Sequence, residues 1–137
     1  MDKARNYLAL ARKAGFAELG EEPAGAAARA QKARLILVAS DAGDHTWRRA
    51  QSFVAGTAQI CLQVPYTKDE LGQIIGRTSL AIAAITDPAL ALSFVKALPN
   101  QEKYTAQVEA LQNRVQRVQQ RRKEDKAHKR NVKQGKK

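Results

Sequence analysis

Three short apolar runs, separated by segments of helical character, constrain the fold of this chain more than any other feature. Residues 34–39 read RLILVA, residues 60–64 read ICLQV, and residues 80–85 read LAIAAI. Each run is shorter than the ~18 apolar residues that a membrane span requires, and its length suits a strand that is buried on both faces. Strands that alternate with helices predict an α/β fold. The expected class is a three-layer α-β-α sandwich around a small mixed, largely parallel sheet.

The segments between the runs carry start and stop signals for helices. Pro23 follows two glutamates in what looks like a first helical turn, where a missing N–H costs nothing and negative charge is favoured by the helix dipole. Thr67 and Glu70 have the spacing of a capping box, and Gly15 is a natural C-terminal cap. A short extended piece is expected at 16–19. Helices are expected at 2–14, 20–32, 45–55, 68–75 and 88–98.

Positive charge is concentrated in the last part of the chain. The 137 residues carry a formal charge of +11, with a pI of about 10.2. Residues 1–99 hold 12 Lys and Arg against 9 Asp and Glu, whereas residues 100–137 hold 12 against 4. Such an excess favours a polyanionic partner, either nucleic acid or an acidic membrane surface. We therefore divide the chain into a folded domain at 1–99, a short amphipathic helix at 100–118 and a basic disordered tail at 119–137.

The segment after residue 100 contains an apolar stripe followed by a basic stretch. The stripe has the spacing of a coiled-coil seam but covers only about two heptads, so it could pair with a partner helix, self-associate or pack back onto the domain. Its members are Tyr104, Val108, Leu111, Val115 and Val118. The basic stretch lacks bulky apolar anchors, which disfavours a membrane, and its cations suit phosphate contacts that add affinity without sequence choice. The candidate phosphate contacts are Arg114, Arg117, Arg121, Arg122, Lys123, Lys126, Lys129 and Arg130.

Catalytic and metal chemistry find little support in the sequence. Gly20 and Gly25 have the glycine spacing of a phosphate-binding loop, but alanines follow where that motif needs lysine and a hydroxyl side chain. The two histidines, His45 and His128, are far apart, and Cys61 lies within an apolar run, so no metal-ligand cluster is formed. We expect no enzyme activity, no metal and no cofactor. A single cysteine and an N-terminus without a signal-peptide pattern fit a soluble protein of the reducing cytoplasm.

Several segments of the domain together resemble a known family. They are LALARKAG at 8–15, LGEE at 19–22, KARLILVASDA at 32–42 and KDELGQIIGRTS at 68–79. In these segments the chain resembles the YlxQ-type proteins of bacteria, in the superfamily of ribosomal proteins that bind kink-turn RNA (the L-seven-Ae type). The resemblance covers about residues 3–98 and none of the tail. It implies a three-layer α-β-α sandwich that binds RNA through a helix start and the loop before the last strand.

The resemblance assigns candidate RNA-binding roles to individual residues. Gly20 matches the glycine that opens the RNA-contacting helix, with Glu21 and Glu22 next to it. Lys68 matches the lysine that approaches the RNA backbone. The loop that covers an extruded nucleotide corresponds to Arg77, Thr78 and Ser79.

The helix start departs from the family pattern of Gly-Thr-Asn-Glu-x-x-Lys. Glu22 stands where the pattern has asparagine, Pro23 where it has glutamate, and Ala26 where it has lysine. The carboxylate of Glu22 can accept hydrogen bonds from guanine N1 and N2, but a phosphate contact is lost with the lysine. The sequence therefore does not predict high-affinity recognition of a standard kink-turn.

Three functions follow. The first is an RNA-binding accessory protein of the ribosome or translation machinery, with structured RNA, expected to be ribosomal RNA, as its partner. The alternative is a protein-interaction module that keeps the fold and has lost specific kink-turn recognition. A detached substrate-binding domain of an RNA-modifying enzyme is a third reading.

Overall fold

The computed structural model describes the backbone of residues 2–134 and the side chains of residues 2–125. Within this part, six α-helices and four β-strands alternate as predicted, with boundaries shifted by one to three residues in most elements. The elements are α1 (Lys3–Lys13), β1 (Ala17–Leu19), α2 (Glu21–Arg29), β2 (Leu35–Val38), α3 (Asp44–Val54), β3 (Cys61–Gln63), α4 (Lys68–Ile74), β4 (Ile82–Ile85), α5 (Pro88–Lys96), a 3-10 turn (Gln101–Tyr104) and α6 (Thr105–Gln134).

The four strands form one mixed sheet in the order β1-β4-β2-β3. The predicted fold class is confirmed, but the sheet is less parallel than the sequence suggested. β2 pairs with β3 in parallel, whereas β4 runs antiparallel to both of its neighbours, β1 and β2. A strand buried on both faces shows the same continuous apolar run in either orientation, so the sequence pattern does not specify direction.

Each face of the sheet is covered by its own layer of helices. Alternation along β2 divides the core, since successive side chains of a strand point to opposite faces. Leu35 and Leu37 join the cluster that contains buried residues of α1, α4, α5 and α6. Ile36 and Val38 join a second cluster with the buried alanines of α2 and α3. The result is the predicted three-layer sandwich, with α2 and α3 alone on one side of the sheet.

The first part of α6 belongs to the domain. Leu111 has no exposed surface, Tyr104 is buried, and Val108 packs against the same cluster on the α5 side. The Tyr104 hydroxyl also lies 3.4 Å from the Gln63 carbonyl oxygen. These three members of the apolar stripe therefore pack back onto the domain. The other two members, Val115 and Val118, are half-buried.

The second part of α6 extends past residue 118, where the sequence predicted the helix to end. The helix continues to Gln134, through the segment that the sequence analysis assigned to a disordered tail. Gln, Arg, Lys and Glu dominate this segment, and all four have good helix propensity, although an isolated helix of such length is marginal in water. Disorder of 119–137 in the free chain stays a prediction. In the described part of the chain, no helix combines the length and the apolar character needed to cross a membrane.

Candidate nucleic-acid interface

The residues that the sequence assigned to RNA binding lie at one edge of the sheet, which we call the upper edge. β1 and β2 both run antiparallel to β4, so their C-terminal ends share an edge with the start of β4. The Gly20 N–H donates to the Ile82 carbonyl at 2.9 Å, the Lys68 N–H donates to Asp41 Oδ1 at 2.8 Å, and the Leu80 N–H donates to the Lys68 carbonyl at 3.0 Å. The predicted site residues at this upper edge are Gly20, Glu21, Glu22, Lys68, Arg77, Thr78 and Ser79.

Gly20 forms the start of α2 and leaves its first turn uncapped. Its φ of 105° and ψ of 166° lie in a region that L side chains rarely adopt, so a glycine is required where the chain turns from β1 into α2. Among the residues whose side chains are described, none caps this helix. Pro23 has no N–H to satisfy. The first N–H groups of α2 are therefore left for solvent or a ligand, beside the exposed carboxylates of Glu21 and Glu22.

Arg49 of α3 is a residue of this site that sequence reasoning missed. Its guanidinium forms an ion pair with the Glu21 carboxylate and lies 5.8 Å from the centre of the Phe53 ring. The ion pair offsets the negative charge that Glu21 would otherwise present to a phosphate. No spacing in the sequence links α2 to α3, so this pair follows only from their packing.

A depression of about 500 Å³ lies between α2 and α3 beside the ion pair. It is lined by Glu21, Glu22, Pro23, Ala26, Arg29, Arg49 and Phe53. Arg29 and Arg49 supply positive charge on this surface, near the position where Ala26 replaces the lysine of the family pattern. Phe53 adds a partly exposed aromatic ring of the kind on which a base can stack. The depression thus combines two cations, two carboxylates and an aromatic face.

The loop Arg77–Ser79 rests directly on the backbone of α4 at Gly72. A methyl carbon added at Gly72 would lie 2.7 Å from Ser79 N, 2.8 Å from the Arg77 oxygen and 2.8 Å from the Thr78 carbonyl carbon. The Arg77 N–H donates to the Gly72 carbonyl at 2.8 Å, and Gly76 turns the chain with a φ of 73°. The two glycines of the Leu-Gly-x-x-x-Gly segment therefore fix the loop, whose three side chains are exposed.

Lys68 occupies the first turn of α4, which is capped twice. Thr67 and Glu70 form the predicted capping box, with reciprocal hydrogen bonds of 3.1 Å. Asp41, just beyond β2, accepts from the Lys68 N–H. A lysine in the first turn opposes the helix dipole, and the acidic neighbours offset that cost. Hydrogen bonds of its backbone thereby fix the half-buried Lys68 at the upper edge.

Glu70 also connects α4 to α1. Its carboxylate accepts from the Arg5 guanidinium at 2.8 Å, and the same guanidinium lies 5.1 Å from the centre of the Tyr66 ring. The hydrogen bond from the Thr67 backbone is the main cause that lowers the pKa of Glu70, with the Thr67 hydroxyl and the Arg5 charge acting in the same direction. Burial together with the hydrogen bond to Asp2 raises the pKa of Tyr66. These contacts hold α4 and its loop on the domain.

The predicted phosphate contacts of α6 lie elsewhere. Arg114, Arg117 and Arg121 line a groove with Arg34, at the end of the sheet opposite to the upper edge. Arg122 and Lys123 are exposed on the same helix. Lys126, Lys129 and Arg130 lie outside the residues whose side chains are described. Within the described part, no three His, Cys, Asp or Glu side chains come together in a way that could hold a metal ion.

Comparison with known proteins supports the fold. The chain has the architecture of a class of small α-β-α proteins, and its structural neighbours include an RNA-binding protein. A protein of unknown function from Bacillus halodurans superposes with a TM-score of 0.66 at 23% identity, covering 71% of this chain and 97% of that one. The Giardia lamblia 15.5kD RNA binding protein superposes with a TM-score of 0.57 at 19% identity, covering 78% and 85%. No family model matches the chain, and neither does any curated protein.

Proposed function

We propose that this chain is a cytoplasmic RNA-binding accessory protein of the ribosome or translation machinery, related to the YlxQ-type proteins. Its domain at 1–99, closed by the packed part of the segment 100–118, would dock structured RNA at the upper edge. The basic segment 119–137 would add phosphate contacts. The proposal is one of binding without catalysis, and ribosomal RNA is the proposed partner.

The observation that carries the proposal is the convergence of Gly20, Lys68 and the Arg77–Ser79 loop at one edge of the sheet. Two distant parts of the chain, the start of α2 and α4 with its following loop, supply uncapped N–H groups, a lysine and an exposed cationic loop at that edge. The Giardia neighbour, named as an RNA-binding protein, supports the same class of ligand. Such a set suits a polyanion whose base edges carry hydrogen-bond donors and acceptors.

Each part of the upper edge has a chemical role in this proposal. Lys68 and Arg77 contact phosphates, which fix the position of the RNA without reading its sequence. Glu22 accepts hydrogen bonds from guanine N1 and N2, so a guanine would be preferred beside α2. Arg49 neutralises Glu21, which keeps the helix start compatible with a nearby phosphate. A standard kink-turn is one candidate ligand, and a related structure that places a guanine beside α2 is another.

Replacement of two cations at the upper edge tests the proposal. Lys68→Gln combined with Arg77→Gln removes two charges and keeps most of the side-chain volume. Affinity for ribosomal RNA fragments should fall by roughly tenfold or more, since a cation at an RNA contact contributes on the order of 1 kcal/mol or more. The matched control is Arg12→Gln with Lys13→Gln, which removes equal charge from exposed positions at the end of α1. Equal affinity of the two double variants would refute docking at the upper edge.

A protein-interaction role is the second candidate, and the half-buried Val115 and Val118 favour it. They continue the apolar stripe beyond Leu111, the last member with no exposed surface. Truncation at residue 99 would uncover the core that Leu111 closes, so substitution in the full chain is the sharper test. If this role is right, Val115→Gln with Val118→Gln will abolish a concentration-dependent mass in sedimentation, and Lys68→Gln with Arg77→Gln will leave RNA affinity unchanged.

A further inference from the structure

A second cationic groove lies at the end of the sheet opposite to the upper edge. It is formed where the chain passes from α2 into β2 and where α6 leaves the surface of the domain. Its volume is about 280 Å³. The lower groove is lined by Gln31, Arg34, Arg114, Arg117, Val118 and Arg121. The domain and α6 therefore build this groove together.

The lower groove lies beside the apolar stripe of α6, past the point where that stripe covers the core. Up to Leu111 the stripe packs against the core on the α5 side. Arg114, Arg117 and Arg121 then follow at spacings of three and four residues, which places them on one side of the helix. That side meets Arg34, whose backbone N–H is fixed by the Ile85 carbonyl at 2.9 Å. Beyond Leu111, a row of cations therefore runs along α6 next to the half-buried Val115 and Val118.

The arginines of the lower groove lack compensating negative charge. No Asp or Glu is among the described residues that line it. Arg34 Nε is buried and finds no hydrogen-bond partner in the described part of the chain. Burial, followed by the charges of Arg34 and Arg117, lowers the pKa of Arg114. The neighbouring like charges disfavour this arrangement, and a bound anion would offset them.

We propose that the lower groove is a phosphate-binding site for the RNA backbone, separate from the upper edge. The guanidinium forks of these arginines match a phosphate with two parallel hydrogen bonds. The assignment to RNA rests on the proposed function and on the basic character of α6, which supplies three of the arginines. An acidic peptide would match the same forks, and its binding is an outcome of the test below.

The position of the lower groove constrains the RNA that the protein can hold. β2 separates the two sites, and its four residues alone span about 13 Å. A single RNA that binds at both sites must therefore be longer than the strands of the sheet. The affinity for a short RNA that contacts only the upper edge would not depend on the residues of the lower groove. The affinity for a longer RNA would depend on both sites.

Inorganic phosphate tests the site without any assumption about RNA. NMR detection of the arginine Nε–Hε groups, at constant ionic strength, should show saturable shifts for Arg34 and Arg114 during a phosphate titration. Arg122, exposed on the same helix, is the internal reference and should not saturate. Equal responses of all three arginines, or none, would overturn the proposal. This result is independent of whether the upper edge binds RNA.

Substitution tests the assignment to RNA. Arg34→Gln with Arg114→Gln should lower affinity for ribosomal RNA fragments severalfold and reduce the salt slope by about one. The control on the same helix, Arg122→Gln with Lys123→Gln, removes equal charge and should have a smaller effect. The groove variant should melt no lower than the unmodified chain, since two mutually repelling charges are removed.

Two outcomes would overturn the RNA assignment and leave the upper edge unaffected. In the first, RNA affinity falls equally in the groove variant and in its control, which would mean that only the total charge determines affinity. In the second, the groove variant loses binding of an oligo-glutamate peptide and keeps full RNA affinity, which would make the groove a protein-binding site. Failure of the proposed function itself would appear as unchanged RNA affinity in Lys68→Gln with Arg77→Gln.

Discussion

Gly72 illustrates how a single residue determines the geometry of the proposed RNA contact. It lies inside α4, where alanine would have the higher helix propensity by about 1 kcal/mol. The backbone of the Arg77–Ser79 loop passes so close that a side chain at this position has no room. The sequence motif could be seen without the structure, but the close approach that explains it could not.

Gly72→Ala should destabilise the domain and weaken RNA binding together. The new methyl group overlaps three backbone atoms, so the loop must move, at a cost of about 1–3 kcal/mol. Denaturant unfolding and RNA affinity measure the two effects. Gly43→Ala is the control, because its methyl group meets no atom within 4 Å and only a glycine N-cap is lost. Native stability in Gly72→Ala would contradict the close approach.

Glu70 should make stability dependent on pH in the acidic range. Its pKa is lowered from the ordinary 4.5 by the hydrogen bond from Thr67. A lowered pKa means that the folded state favours the carboxylate, so the contribution is present above pH 4.5 and is lost as pH falls through the folded pKa. In Glu70→Gln the loss of stability between about pH 5 and pH 3 should be smaller. An identical pH profile of the unfolding free energy in both proteins would contradict this role.

At the scale of elements, the sequence predicted that α6 forms a helix but not what that helix packs against. The stripe of five apolar residues was visible, but a spacing of three and four residues does not tell whether a helix packs on its own domain or on a partner. The structure assigns Tyr104 and Leu111 to the core and leaves Val118 half-buried. The direction of β4 could not be predicted from the sequence for a similar reason, since its apolar run fits parallel and antiparallel pairing equally.

Leu111→Ala should be far more costly than Val118→Ala. Leu111 has no exposed surface, so its truncation leaves a cavity and should lower the unfolding free energy by about 2–4 kcal/mol. Val118 is half-buried at the rim of the lower groove, and its truncation should cost less than about 1 kcal/mol. Chemical unfolding of both variants gives the comparison. Equal small losses would mean that α6 does not complete the domain in solution.

On the scale of the whole molecule, the sequence predicted the three layers. The residues that it assigned to RNA binding lie together at the upper edge, and their role in binding RNA stays a prediction. Apolar runs, capping residues and glycines are local signals, and each predicted the correct element. Contacts between elements have no such signal, so the Glu21–Arg49 ion pair and the meeting of Arg34 with α6 emerged only from the fold. Both involve charged residues that a sequence pattern would assign to a solvated surface.

Removal of residues 119–137 should reduce the salt dependence of RNA binding. The deletion lowers the formal charge from +11 to +4 and keeps the part of α6 that closes the core. Each phosphate contact that is lost should flatten the slope of log affinity against log salt by roughly 0.7–0.9. The slope measured for the full chain and the shortened chain tests this prediction. An unchanged slope would show that this segment makes no phosphate contacts.

The most direct test of RNA docking at the upper edge is ultraviolet crosslinking in cells, with sequencing of the bound RNA. The full chain and its Lys68→Gln, Arg77→Gln variant should be compared at equal expression. We expect a localised peak on ribosomal RNA for the full chain and a clear loss of that peak in the variant. No enrichment for the full chain, or an identical peak in the variant, would contradict RNA docking at the upper edge.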